Sequence, residues 1–311
     1  VAVNMKGRSI LTIHELSIEE VDQIFDMART LKLERMAGKI MNPLLSGKSL
    51  AMIFEKASTR TRLSFEVAIH ELGGHPIYLS SKDMQIGRGE SIADTARVLS
   101  RYVHGIEARV FEHQKLVDMA EYGSVPVING LSDLTHPCQV LTDLFTISEK
   151  FGEVGGLKMV YMGDGSNNMA HSLLYGCAKV GMDMTVCTPE GYEPDSTVLE
   201  NAKKDALETG AELIISHDPN ESVIDADVIY TDVWASMGQE EEYAKRVNNL
   251  KPYQVNADLM KKSEGAIFMH CLPAHRGEEV TDEVADAPYS VIFDEAENRL
   301  HVQKAILALV M

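Results

Sequence analysis

Short apolar runs alternate with helical repeats along the whole chain, and no other feature narrows the fold so far. Runs such as Leu50-Ala51-Met52-Ile53-Phe54 have the length of one buried strand. Between such runs lie stretches with apolar residues three and four apart, as in Ile92, Ala96, Leu99 and Val103. Alternation of this kind builds parallel sheets covered by helices. The chain therefore reads as α/β, with two domains, each a parallel sheet flanked by helices. Strands are expected at 50–54, 76–80, 105–111 and 125–128 in the first half. In the second half they are expected at 158–162, 184–187, 213–216, 228–230 and 266–269, with a last strand at 291–293 before a closing helix. Ser17-Ile18-Glu19-Glu20 is a capping box that opens the first helix. The glycine-rich stretch 152–156 marks a boundary between the halves.

A chain of 311 residues can bury two ordinary cores. No apolar run approaches the ~20 residues of a membrane span, and the first residues lack the apolar core of a signal peptide. Four cysteines without CxxC spacing point to reduced thiols and a cytoplasmic setting. A net charge of −18 argues against a nucleic-acid surface. The charge is uneven, with 17 Lys+Arg against 19 Asp+Glu in residues 1–150 and 12 against 28 in the rest. The near-neutral half suits an anion and the acidic half a cation.

The chemistry-bearing residues gather where strands end. Ser58-Thr59-Arg60-Thr61-Arg62 sits where an apolar strand hands over to a helix. A helix start offers free N–H groups and partial positive charge, and hydroxyls and arginines there suit a phosphate dianion. Arg60 and Arg62 lie about 200° apart around a helix. One is expected to grip the anion and the other to pair with a carboxylate; spacing does not say which. Arg109 stands near the end of an otherwise apolar strand, where a charge is costly unless it is paired or binds something. His136 and Gln139 flank the start of a helix whose first position is Pro137. Lys82 to Glu90 form a polar loop. Gly163-Asp164-Gly165-Ser166-Asn167-Asn168 resembles a dinucleotide turn but carries Asn168 where the third glycine belongs. Asp232 and Cys271 follow two further strands. In parallel sheets such positions share one edge, so an anion site and a polar, acidic site are expected to face one another across a cleft between the domains. His14-Glu15 and His70-Glu71 lack the second His of a zinc motif, and no metal site is expected.

Four motifs in one order carry a resemblance. They are Phe54-Glu55-Lys56-Ala57-Ser58-Thr59-Arg60-Thr61-Arg62, His136-Pro137-Cys138-Gln139, Asp232-Val233-Trp234-Ala235-Ser236-Met237-Gly238 and His270-Cys271-Leu272-Pro273-Ala274. With these the chain closely resembles the ornithine carbamoyltransferase branch of the transcarbamylases, from its first helix to its last. The first two motifs are shared across transcarbamylases, and the last two point to ornithine. Ala57 departs from the proline common in the family and leaves the anion ligands untouched. The resemblance implies a carbamoyl-phosphate-binding domain over 1–135, completed by the C-terminal helix of about 296–311. A connecting helix over 136–152 and an ornithine-binding domain over 153–295 follow. It implies that Ser58, Thr59, Arg60 and Thr61 hold the phosphate, with Arg109 and Arg299. His136 and Gln139 would hold the carbamoyl group, and Cys271 and Leu272 would sit between the substrates. Gln85, from the polar loop, would reach a neighbouring subunit's site in a homotrimer or a multiple of trimers. Asn168, Asp232, Ser236 and Met237 would bind L-ornithine. Arg60, Arg109, His136, Asp232 and Cys271 are the catalytic candidates. The implied reaction belongs to arginine metabolism, gives citrulline and phosphate, and needs no cofactor.

Three rival readings remain. A nicotinamide oxidoreductase is suggested by the turn at 163–168. A non-catalytic binder of phosphate or amino acid is suggested by the arginine cluster. A sister transcarbamylase would use putrescine or another amine.

Overall fold

The computed structural model describes residues 2–235 and 242–311, leaving aside the side chains of Gly87 and Arg88. The chain divides into two compact units, Val1–Phe145 with Glu297–Met311, and Thr146–Ala296.

The first unit opens with α1 (Ile18–Met36), where both halves of the capping box form. Glu20 N–H donates to Ser17 Oγ at 3.2 Å, and Ser17 N–H donates to Glu20 Oε2 at 2.9 Å. Then come β1 (Ser49–Phe54), α2 (Thr59–Glu71), β2 (His75–Ser80), α3 (Ile92–Leu99), β3 (Gly105–Arg109), α4 (Gln114–Tyr122), β4 (Val127–Leu131) and α5 (Pro137–Phe151), which runs on into the second unit. The four strands are parallel in the order β2-β1-β3-β4. The two faces of the sheet differ in kind. Ala51, Ile53, Ile106 and Ala108 pack with Ala96, Leu116 and Met119 in an apolar layer beneath α3 and α4. The alternate positions, Met52 with Glu107 and Phe54 with Arg109, pair across β1 and β3 on the other face. Two arginine-bearing elements, β3 and the final helix, deliver their charges to that second face, as the bonds described below show.

The second unit holds β5 (Lys158–Met162), α6 (Asn168–Val180), β6 (Asp183–Cys187), α7 (Ser196–Thr209), β7 (Leu213–Ser216), α8 (Pro219–Ser222) and β8 (Val228–Thr231). After these come α9 (Tyr243–Leu250), α10 (Ala257–Met260), β9 (Ile267–Met269), α11 (Asp282–Ala285) and α12 (Ile292–Val310), the last running on into the first unit. Its sheet is parallel in the order β7-β6-β5-β8-β9. Both sheets and their flanking helices match the expected α/β architecture.

One expected element is absent. Val291–Phe293 is no strand: Ile292 and Phe293 begin α12, and Ser290 makes only an isolated bridge to Phe268. Three apolar residues suit either structure. Asp294 and Glu295 in the first turn favour the helix, whose N-terminus attracts negative charge. Glu295 N–H closes that turn on the Val291 carbonyl at 2.9 Å.

Candidate active site

In the first unit, α2 begins four residues after β1 ends. Ser58 is its N-cap, with Oγ accepting from the Thr61 amide at 3.2 Å. Thr59, Arg60 and Thr61 form the first turn, where the helix field favours an anion. Thr61 is buried, and three elements meet on its hydroxyl. Arg299 of α12 donates to Oγ1 through Nη2 at 3.1 Å, and Arg109 at the end of β3 donates through Nη1 at 3.5 Å. Arg299 also donates through Nη1 to Gln139 Oε1 at 2.5 Å, and Gln139 donates on to Asp143 at 2.8 Å. Gln303, one turn beyond Arg299, supports it with its amide turned to suit both neighbours. Its oxygen then lies 3.0 Å from Arg299 Nε and its nitrogen 2.5 Å from Ser64 Oγ.

Arg62 donates to Glu66 at 2.9 Å and lies over the Tyr78 ring at 3.8 Å. Arg60 has no carboxylate partner among the described residues. His136, just before α5, is buried, and burial pushes its pKa well below the ordinary 6.5, reinforced by the charges of Arg299 and Arg109. Its imidazole is therefore neutral near pH 7, with one donor and one acceptor nitrogen. Gln85 opens a short 3₁₀ turn, is exposed, and bonds to none of these side chains.

In the second unit, Asn167 caps α6, accepting from the Ala170 amide at 2.9 Å. Its amide nitrogen donates to Tyr161 Oη at 2.8 Å and to Asp232 Oδ2 at 3.5 Å. Asp232, just past β8, accepts at Oδ1 from its neighbour Val233 N–H at 2.8 Å and from Cys271 Sγ at 3.3 Å. Burial raises the Asp232 pKa above its ordinary value; His270, the Val233 amide and the Cys271 thiol oppose the shift. Cys271 follows β9, and the chain around it is held at several points. His270 Nδ1 accepts from Leu272 N–H at 2.9 Å, and His270 Nε2 meets Glu279 Oε1 at 3.1 Å with both side chains buried. The His270 amide donates to Glu295 at 3.0 Å. Leu272 has φ +58°, a left-handed conformation uncommon for a side chain of its size, and its peptide to Pro273 is cis. Ser236 and Met237 lie outside the described residues. The chain leading to them is anchored: Trp234 is buried and its carbonyl accepts from Arg246 Nε at 2.9 Å, while Arg246 pairs with buried Asp164.

The structure thus joins Thr61, Arg109, Gln139 and Arg299 by direct bonds, and Asp232 with Cys271. Sequence reading names Asn168, a half-buried residue of α6, and passes over Asn167, although both lie in the same turn. It also passes over Tyr161, Glu279, Glu295 and Gln303; of these only Gln303, at i+4 from Arg299, had a usable signal in its spacing. Asp232, His270 and Cys271 bring one potential metal ligand each within 4.8 Å of one another. Both His270 ring nitrogens are engaged by Leu272 and Glu279, so a metal there would have to break one of those bonds.

Comparison with known proteins matches two domain models along the chain. Residues 8–149 match the family model for the carbamoyl-P binding domain of aspartate/ornithine carbamoyltransferase, and residues 155–310 match its Asp/Orn binding domain. The chain is 57% identical to ornithine carbamoyltransferase of Pyrococcus abyssi over 99% of this chain and 97% of that one. It is also 57% identical to the anabolic ornithine carbamoyltransferase of Pyrococcus furiosus, over 99% and 98%. The solved structure of ornithine carbamoyltransferase from Pyrococcus furiosus superposes with a TM-score of 0.96 at 56% identity, covering 100% of this chain and 99% of that one. That from Giardia lamblia does so at 0.88 and 37%, covering 97% of each. The chain belongs to the aspartate/ornithine carbamoyltransferase family, on its ornithine carbamoyltransferase branch.

Proposed function

We propose that this chain transfers the carbamoyl group of carbamoyl phosphate to the side-chain amine of L-ornithine, giving L-citrulline and phosphate. The observation that carries the reading is the convergence of Arg109, Arg299 and Gln139 around the first turn of α2. Ser58, Thr59, Arg60 and Thr61 take the phosphate there, with Arg109 and Arg299. Neutral His136 and Gln139 hold the carbamoyl group. Asn168 and Asp232, with Ser236 and Met237, hold ornithine. Residues 1–135 and about 296–311 form the carbamoyl-phosphate domain, 136–152 connect, and 153–295 form the ornithine domain.

In the transfer, the amine nitrogen bonds to the carbonyl carbon, the bond from that carbon to the phosphate oxygen breaks, and the proton that the nitrogen loses ends on the departing phosphate. The substrate brings its own leaving group, so orientation and charge stabilisation suffice and no cofactor is invoked. Each donor aimed at developing negative charge contributes about 3–4 kcal/mol. Cys271, whose thiol donates to Asp232, orients rather than attacks. Leu272, next in the chain, holds a left-handed backbone conformation, a strain that clusters at functional sites. The exposed Gln85 supports assembly as a homotrimer, in which it serves a neighbouring copy. Cysteines that are free and mostly buried support a reducing, cytoplasmic setting. No helix among the described residues is long and apolar enough to cross a membrane.

The test is phosphate release from carbamoyl phosphate with ornithine, putrescine, aspartate or acetylornithine as acceptor. Ornithine should be preferred by at least tenfold in kcat/KM. Preference for another acceptor, or no release at all, would overturn the reading.

A further inference from the structure

Glu107 lies in the middle of β3 and is fully buried, and neither carboxyl oxygen has a hydrogen-bond partner. A carboxyl group left so is rare. It stands two residues before Arg109 on the same strand and so on the same sheet face. The fold makes room for it. The β3–β4 register shifts beside Ala108 and Arg109, leaving Gly130 as an extra residue in β4. A Cβ at Gly130 would lie 1.8 Å from Glu107 Oε1, so the carboxyl group occupies the space that a side chain there would need.

The groups around it are few. β1 sets Met52 beside it, and β4 sets Ile128 and Gly130. Its own strand brings Arg109, α12 brings Arg299, and α5 brings Cys138. The Cys138 thiol is pushed up to about 12, chiefly by burial, and carries no charge near neutral pH. Among the described residues, the charges that act on Glu107 are the two guanidiniums that meet on Thr61.

We propose that Glu107 is an internal counter-charge that sets how strongly Arg109 and Arg299 hold a phosphate dianion. Uncharged, it leaves both guanidiniums to the substrate; ionised, it competes with the substrate for them. Burial drives its pKa well above the ordinary 4.5 against the pull of both arginines, so the uncharged form persists above the ordinary carboxylate range. A bound dianion cancels the arginines' attraction for a carboxylate and favours the proton further, so binding takes up protons on the alkaline side. Glu107 is a positioning residue, acting through Arg109 and Arg299 without touching the substrate. The inference rests on the carbamoyl-phosphate reading of this site.

The test compares wild type with Glu107→Gln, and with Glu107→Met as a second uncharged variant should the amide disturb folding. KM for carbamoyl phosphate is measured at saturating ornithine from about pH 6 to about pH 9. Ionisation of the substrates is common to all three proteins and cancels in the ratio of wild-type to variant KM. That ratio should be near one at the acid end and rise to about tenfold at the alkaline end, with the change in KM rather than kcat. Calorimetry of inorganic phosphate binding, in two buffers of different ionisation enthalpy, should show proton uptake by wild type in excess of either variant. A flat ratio with equal proton uptake would overturn the role of Glu107 while leaving the anion site standing. Failure of all three proteins to bind phosphate or use carbamoyl phosphate would instead remove the reading beneath it.

Discussion

The two units arrange their polar side chains by opposite means. In the first unit, positive charge is concentrated: Arg109 and Arg299 converge on one hydroxyl, supplied by strands and helices far apart in sequence. In the second unit, Asp232 accepts from Asn167 and the Cys271 thiol, while His270 and Glu279 pull its pKa in opposite directions. The first arrangement stores charge for a ligand that brings the opposite sign. The second holds one carboxylate in a place that resists its ionisation. The Thr61 hydroxyl and the Gln139 amide oxygen accept from these guanidiniums while carrying no charge themselves. A site for a cation needs only one acid when burial sharpens its field.

The largest test of this contrast is Arg60→Ala. Arg60 pairs with no carboxylate among the described residues, so the fold should survive while kcat falls by about 10²–10³. Wild-type turnover with an unchanged melting temperature would remove Arg60 from the anion site. Next is Asp232→Asn, which keeps the shape and removes the charge. KM for ornithine should rise by about tenfold or more and KM for carbamoyl phosphate by far less. The reverse order would mean that the two units had been assigned to the wrong substrates. Thr61→Val should follow, since it deprives two guanidiniums of an acceptor while keeping the side-chain volume. A loss of about 1–3 kcal/mol in urea unfolding, together with weaker carbamoyl phosphate binding, is expected. Binding unchanged after this substitution would show that the arginines are placed by other contacts.

The buried titratable groups should also respond to pH in opposite directions. His136 has a depressed pKa, so its contribution to stability is present above about pH 6.5 and is lost as pH falls through its folded value. Glu107 and Asp232 have raised pKa values, so theirs is present below the ordinary carboxylate range and is lost as pH rises through their folded values. Urea midpoints across pH should therefore fall on both sides of an optimum. Glu107→Gln should flatten the alkaline side, by up to ~1.4 kcal/mol per pH unit where that group titrates. An unaltered alkaline limb would mean that Glu107 ionises as easily in the folded chain as outside it. The smallest effect is reserved for Cys271→Ser, which preserves a donor to Asp232. Turnover should stay within about tenfold; a fall of 10⁴ or more would reveal a covalent role.

Most strands were visible in the sequence because their apolar runs are short and bounded by glycine and polar residues, and Ser58 announced the start of α2 by its capping chemistry. Strand order was not legible. The order β2-β1-β3-β4 depends on which crossovers pack against which face, and no single residue encodes that. Val291 to Phe293 misled because three apolar residues lack a period. Arg109 drew notice as a charge on an apolar strand, and the same reasoning applied two residues earlier would have found Glu107. Arg299 was placed only by resemblance; nothing local says that a residue 238 positions later will bond Thr61.

That last contact has a consequence for how the protein is made. The first unit needs residues from both sides of a 151-residue interruption, Thr146–Ala296. On a ribosome adding about 5–20 residues per second, roughly ten seconds or more separate the synthesis of Gln139 from that of Arg299. During that interval the sheet of β1 to β4 can form, but α12 is missing from its arginine-bearing face. Glu107 would then lie open to water rather than buried. The nascent first unit should be a substrate for chaperones and proteases until the last helix arrives and Arg299 reaches Thr61.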